Sequence, residues 1–199
     1  MMQEFIAAHW LDMLTTLLGL AYIVLEYHAS IWLWAVGFAM QSLGIVLYYQ
    51  KGLYADCGME FYYLTMTVYG FLTWRRKSRA GKSATSDLPI THFPVSYALA
   101  WTGITLVAWG ALYWFLATYT DSRVPLTDAF TTALSFVGIW ALARKYLEQW
   151  LIWIVVDVVT CALYFYKDIP FKASLYALYV VIAIAGYYKW KKMMVKQTE

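Results

Sequence analysis

The chain reads as an all-α membrane protein of seven transmembrane helices, arranged as three, one and three. Three observations point there. The sequence is 62% hydrophobic and only 14% charged, where a soluble domain carries about 25% charge and needs it to face water. Its apolar residues fall into seven runs near 9–26, 31–49, 53–74, 97–118, 124–143, 147–166 and 172–190, each about 17–22 residues and so close to the ~30 Å bilayer core at 1.5 Å per residue. Finally, a shift of 116 residues lays the first part of the chain on the last part without a gap, with twelve identities over positions 12–74.

Those identities are Asp12/Asp128, Thr15/Thr131, Thr16/Thr132, Leu18/Leu134, Ile23/Ile139, Trp34/Trp150, Leu47/Leu163, Tyr48/Tyr164, Lys51/Lys167, Tyr63/Tyr179, Gly70/Gly186 and Trp74/Trp190. Chance would supply about four or five in so skewed a composition, and Trp, Gly, Asp and Tyr are over-represented among the matches. The repeat divides the chain into a three-helix unit at 9–74, a loop plus linker helix at 75–123, and a second three-helix unit at 124–190. One intervening helix makes the two triplets parallel, with a pseudo-two-fold axis along the membrane normal, as in SWEET-like carriers. Repeats of this kind place a substrate site at their interface.

Taken in order, the spans are separated by turn signals: Lys51-Gly52 after the second, Asp121-Ser122-Arg123-Val124-Pro125 before the fifth, and Lys167-Asp168-Ile169-Pro170 before the seventh. The first span lacks the basic flank of a cleavable signal peptide, beginning Met-Met-Gln-Glu. The fourth, from Tyr97 to Leu116, has no ionisable group but tyrosine and fits a lipid-facing linker. Eleven Lys and Arg lie on the side of the 75–96 loop and the C-terminus against four (Lys51, Arg123, Lys167, Lys172) on the other. The positive-inside rule therefore puts the C-terminus in the cytoplasm and the N-terminus outside. The basic clusters are read as topology signals and not as a nucleic-acid surface.

Polar residues inside apolar spans mark the candidate site. The third span carries Asp56, Glu60, Tyr63, Thr67, Gly70 and Trp74 in steps of three and four, hence on one helix face. The sixth carries Trp150, Trp153, Asp157, Thr160 and Tyr164 in the same way, and the second Trp34, Gly37, Gln41, Gly44 and Tyr48. Asp157 stands between Val155-Val156 and Val158-Val159; a carboxylate at mid-membrane costs roughly 2.5–3.5 kcal/mol on insertion scales, so it faces a cavity or a partner. Its packing alternative is a hydrogen-bonded or protonated core residue. Trp153 precedes Asp157 by one turn, a spacing that sets an indole beside an acceptor and suits a flat cationic aromatic, with cation–π attraction of about 0.5–2 kcal/mol. Trp150 can equally be an interfacial anchor. Glu60 has two readings, a structural or hydrated vestibule group and a substrate contact. The substrate-binding set is then Asp157, Trp153, Trp150, Glu60, Gln41, Tyr63, Thr67, Tyr164 and Trp34.

Other chemistry is disfavoured. His9, His28 and His92 share no face, Cys57 and Cys161 lack metal-like spacing, and no nucleophile–base pair or phosphate loop is present. A catalytic residue, metal or cofactor is therefore not expected. An intramembrane enzyme and a sugar carrier are the distant rivals; the former needs acid–base pairs or ligands near one interface, the latter more midplane amides than Gln41.

At Leu53-Tyr54-Ala55-Asp56, Tyr69-Gly70-x-x-x-Trp74 and Arg144-Lys145-Tyr146-x-x-x-Trp150-x-x-Trp153-x-x-x-Asp157 the chain resembles the PnuC family of bacterial vitamin transporters, over nearly all its length. The resemblance implies a 3+1+3 SWEET-like fold, a homotrimer, and facilitated diffusion of nicotinamide riboside or, in the PnuT branch, thiamine, with a cytoplasmic vitamin kinase trapping the product. Two positions depart from the nicotinamide riboside pattern: Asp157 where an Asn follows the Trp-x-x-Trp, and Glu60 where an amide is common. Amides suit a carboxamide, whereas carboxylates suit the aminopyrimidine and cationic thiazolium of thiamine. The swaps favour thiamine, with nicotinamide riboside as the alternative.

Overall fold

The computed structural model describes residues 14, 17–50, 54–80, 88–120, 122–166 and 170–198. It divides into two compact units, Met1–Leu88 and Pro89–Glu199. Seven helices occur among the described residues: α1 (Leu17–Tyr27), α2 (Trp32–Gln50), α3 (Tyr54–Ala80), α4 (Val95–Tyr119), α5 (Pro125–Ala143), α6 (Gln149–Tyr166) and α7 (Pro170–Thr198). Of these, α2, α4, α5 and α6 are long and apolar enough throughout to cross a bilayer. Helices α3 and α7 run past their apolar stretches into Arg75-Arg76-Lys77 and Lys191-Lys192, because Arg and Lys are good helix formers and lose nothing by continuing the helix into water.

Within the first unit, α1 ends in a left-handed residue, Ala29 (φ 51°). The Ala29 N–H donates to the Glu26 carbonyl at 2.9 Å and the Ser30 N–H to the Leu25 carbonyl at 2.9 Å. This pair of bonds is the Schellman stop, which satisfies carbonyls that the helix end would strand. The second unit repeats it after α5: Lys145 has φ 54°, its N–H donates to Leu142 at 2.8 Å, and the Tyr146 N–H donates to Ala141 at 3.0 Å. Every one of these residues lies 116 positions after its counterpart. Left-handed geometry normally selects glycine; here an Ala and a Lys hold it, so the corner is set by its hydrogen bonds and surroundings.

Helix pairing repeats as well. Gly70 on α3 is the notch for the Trp34 ring from α2, so close that any Cβ would collide with the indole. Gly186 on α7 does the same for Trp150 from α6, where a Cβ would stand 2.6 Å from the ring. Each notched indole then meets a second one edge-on: Trp34 with Trp74 at 5.4 Å and 87°, Trp150 with Trp190 at 5.7 Å and 88°. Edge-to-face geometry puts the positive rim of one ring on the negative face of the other. All four tryptophans are buried. At the other end of each pair a thiol donates to a facing carbonyl, Cys57 Sγ to Ile45 at 3.7 Å and Cys161 Sγ to Ala173 at 3.3 Å. The thiol sits on α3 in one unit and on α6 in the other, at positions that the 116-residue shift exchanges.

Helix α4 belongs to the second unit. Trp101 stacks on Trp140 of α5 at 3.9 Å, and the Trp109 indole N–H donates to the Leu126 carbonyl at 2.9 Å. None of its residues is buried, and Leu99 and Val107 are exposed at 85% and 73%, as a lipid-contacting surface requires. Before it, residues 89–94 form a strap over the α5–α6 corner. The Thr91 N–H donates to Lys145 at 3.2 Å and its carbonyl accepts from Leu147 at 2.9 Å. Glu148 accepts from the Phe93 N–H at 2.8 Å and pairs with His92 Nδ1 at 2.7 Å. Asp128 in the first turn of α5 accepts from Ser122 Oγ at 2.7 Å and ties the preceding turn to the helix. Its repeat partner Asp12, with Thr15 and Thr16, lies outside the described residues.

Candidate substrate-binding site

The first unit gathers polar groups where α2 is made of small residues. A Cβ on Gly37 would stand 3.1 Å from the Tyr22 ring and 3.4 Å from Thr67 Oγ1. One turn on, Gln41 is buried, and Gly44 then admits the Glu60 carboxyl, within 2.8–3.1 Å of where a Cβ would be. Tyr63 lies within electrostatic reach of Tyr22, as does Glu26. Four of the expected residues, Gln41, Glu60, Tyr63 and Thr67, therefore belong to one neighbourhood, with Tyr22 and Glu26 as additions. The side chain of Asp56 lies outside the described residues.

In the second unit Trp153 of α6 lies over Gly138 of α5, its ring 3.2 Å from a notional Cβ. The indole nitrogen is buried without a hydrogen-bond partner. Asp157 is buried one turn further and is within electrostatic reach of Tyr179 on α7. Tyr179 leads on through Tyr176 (5.5 Å) to Tyr164 (5.3 Å, 31°), over which Lys172 Nζ stands at 5.3 Å. Asp157 and Tyr164 are thus linked through α7 by Tyr179 and Tyr176, which the helix-stripe reading did not select, while Trp153 faces α5.

Trp34 and Trp150 are placed differently from the rest. Each is sunk in a glycine notch against a second Trp within its own unit. Their buried indole nitrogens have no hydrogen-bond partner, but their rings are committed to helix packing. Stripe periodicity puts Trp150 and Asp157 on one side of α6; it does not reveal that Trp150 turns to α7 while Trp153 turns to α5. Among the described residues no group of three or more His, Cys, Asp or Glu could hold a metal.

The 116-residue shift relates the contacts of the two units. Gly37 aligns with Trp153, and the contact partners align in reverse, Tyr22 with Gly138. Where a ring meets glycine between the first two helices of each triplet, the ring comes from α1 in one unit and α6 in the other. Glu26 is matched by Leu142 and Gln149 by Leu33, so each corner buries one polar side chain at a position where the other corner has leucine.

The chain is similar to known proteins over most of its length. The chain is 23% identical over 205 residues to the nicotinamide riboside transporter PnuC of Escherichia coli, covering 91% of this chain and 84% of that protein. It is 28% identical over 186 residues to the riboflavin/roseoflavin transporter RibM of Streptomyces davaonensis, with the same coverage. A crystal structure of the vitamin B3 transporter PnuC superposes with a TM-score of 0.74 at 24% identity, covering 96% of this chain and 85% of that one, so the all-α membrane fold is shared. A profile described as nicotinamide mononucleotide transporter matches residues 9–192, and with a match across nearly the whole chain the protein belongs to that family.

Proposed function

We propose that this protein carries a small cationic heteroaromatic B vitamin across the bacterial inner membrane by facilitated diffusion, with thiamine as the favoured substrate. The observation that carries the reading is the placement of Asp157, a buried carboxylate in mid-helix, one turn from the Trp153 indole and beside Tyr179. An ionised carboxylate in that setting is costly unless a cation or strong donors complete it. An aminopyrimidine supplies the donors, a thiazolium the charge, and the indole a face for either ring. Glu60, Gln41, Tyr63 and Thr67 form the corresponding set in the first unit.

Nicotinamide riboside is the second reading. It is supported by the name of the E. coli relative and by the positive charge of its own ring, which Asp157 would also favour. Riboflavin, named for the Streptomyces relative, has carbonyl acceptors on its uracil-like edge that a carboxylate repels. Passive uptake of a monovalent cation gains about 2.3 kcal/mol per 100 mV of inside-negative potential, so no coupling ion is needed. Alternating access between two parallel three-helix repeats fits the recurrence of corners and notches at 116 residues. The C-terminus inside, a homotrimer and trapping by a cytoplasmic kinase complete the proposal, from the charge distribution and the PnuC resemblance.

The test is titration of purified protein with thiamine, nicotinamide riboside and riboflavin, read by Trp fluorescence. Thiamine is expected to bind most tightly, and Asp157→Asn to weaken it at least about tenfold, some 1.4 kcal/mol, with little change in thermal stability. Unchanged thiamine affinity in that variant would remove Asp157 from the site. A variant that instead gains nicotinamide riboside affinity would assign Asp157 the choice between the two vitamins.

A further inference from the structure

Gln149, the first residue of α6, is wholly buried, and neither its amide nitrogen nor its amide oxygen has a hydrogen-bond partner. Leaving both ends of a buried amide unmatched works against folding. The repeat supplies an internal control: 116 residues earlier the position is Leu33, equally buried after the same Schellman corner. The scaffold therefore accepts an aliphatic side chain here, and packing alone does not explain the amide.

Its place on the helix does. Gln149, Trp153 and Asp157 are spaced four and four, which puts them on one face of α6. The Trp153 indole nitrogen is likewise buried without a partner. Three hydrogen-bonding groups thus descend α6 from its middle to the α5–α6 corner, two of them unmatched. At the foot of this ladder the strap is tied down next to Gln149, with Glu148 holding His92 and the Phe93 N–H and Thr91 bonded to Lys145 and Leu147.

We propose that Gln149 is a substrate-contacting residue of the transport step, the station a vitamin meets between Asp157 and the α5–α6 corner. Its amide is sealed while the strap is down and offers a donor and an acceptor to the passing vitamin when strap and corner part. An amide suits such a station because it serves heteroaromatic edges of either polarity and holds no charge that would retain a cation. This inference rests on the transport reading above.

The experiment uses the full chain reconstituted in liposomes, with thiamine and nicotinamide riboside each assayed for equilibrium binding and for uptake. Gln149→Leu installs the side chain that the first repeat already accommodates. We expect it to fold with an unchanged or higher melting temperature and to bind within about threefold of wild type, while its maximal uptake rate falls about tenfold or more. Uptake at the wild-type rate would overturn the proposal. So would parallel loss of affinity and rate, which would put Gln149 in the resting site. Gln149→Met is made alongside it; failure of both to fold would make the amide a scaffold element and equally end the proposal. Wild-type protein that binds and carries neither vitamin would instead sink the transport reading itself.

Discussion

Two contacts between a glycine and an aromatic ring recur in each unit, and they behave in opposite ways. Gly70 with Trp34 and Gly186 with Trp150 are the same contact twice: same helices of the triplet, same residue types, same second Trp edge-on at about 5.5 Å. Gly37 with Tyr22 and Gly138 with Trp153 are also one contact made twice, but ring and glycine have changed helices. A notch that only joins helices is under the same steric demand in both copies, so both copies keep it. Where the ring also shapes the surroundings of Gln41 or Asp157, the two copies have diverged while conserving the contact's volume.

The comparison can be broken first at the notches. Replacing Gly186 with Leu drives a side chain into the Trp150 ring, where even a Cβ would stand at 2.6 Å. The expected result is loss of folded protein, or a penalty beyond the about 1–3 kcal/mol of ordinary overpacking, seen as loss of a monodisperse peak and of the thermal transition in detergent. Gly70→Leu should behave alike; if one notch tolerates Leu, the two are not equivalent scaffold.

A smaller effect is expected at the exchanged contact. Gly138→Ala places a methyl 3.2 Å from the Trp153 indole, tight enough to displace the ring by a few tenths of an ångström. Stability should change by under about 1 kcal/mol, while vitamin affinity falls several-fold. Equal affinity in Gly138→Ala and wild type would return Trp153 to the packing residues. The smallest effect concerns the corners: Ala29→Gly removes a left-handed alanine and should stabilise by about 1 kcal/mol, with binding unaffected. A lower melting temperature there would mean that the Ala29 side chain, itself buried, contributes more than its backbone costs.

Much of this could be read along the chain. Seven apolar runs became seven helices with ends moved by a few residues where described, since bilayer thickness and helix rise leave little freedom. The exceptions, α3 and α7, continue beyond the apolar stretch because the basic residues that follow are themselves helix formers. Asp157, Gln41, Glu60 and Thr67 stand out along the chain because polar residues at helical spacing inside an apolar run have few places to go. For Trp34 and Trp150 the stripe left the partner open. An aromatic stripe has a period but no partner, and only the neighbouring helix decides whether a ring fills a notch or lines a site.

Sequence alone determined the class of molecule, the 116-residue recurrence and which polar residues fall within apolar helices, because composition and period are local properties of a helix. Tertiary structure decided the rest. It sank Trp150 against Gly186 and laid Trp153 over Gly138, brought Tyr179 to Asp157, sealed Gln149 without a partner, and strapped the Thr91 segment across the corner. These are relations between faces of different helices, and a helix's own period says which residues share a face but never what that face meets.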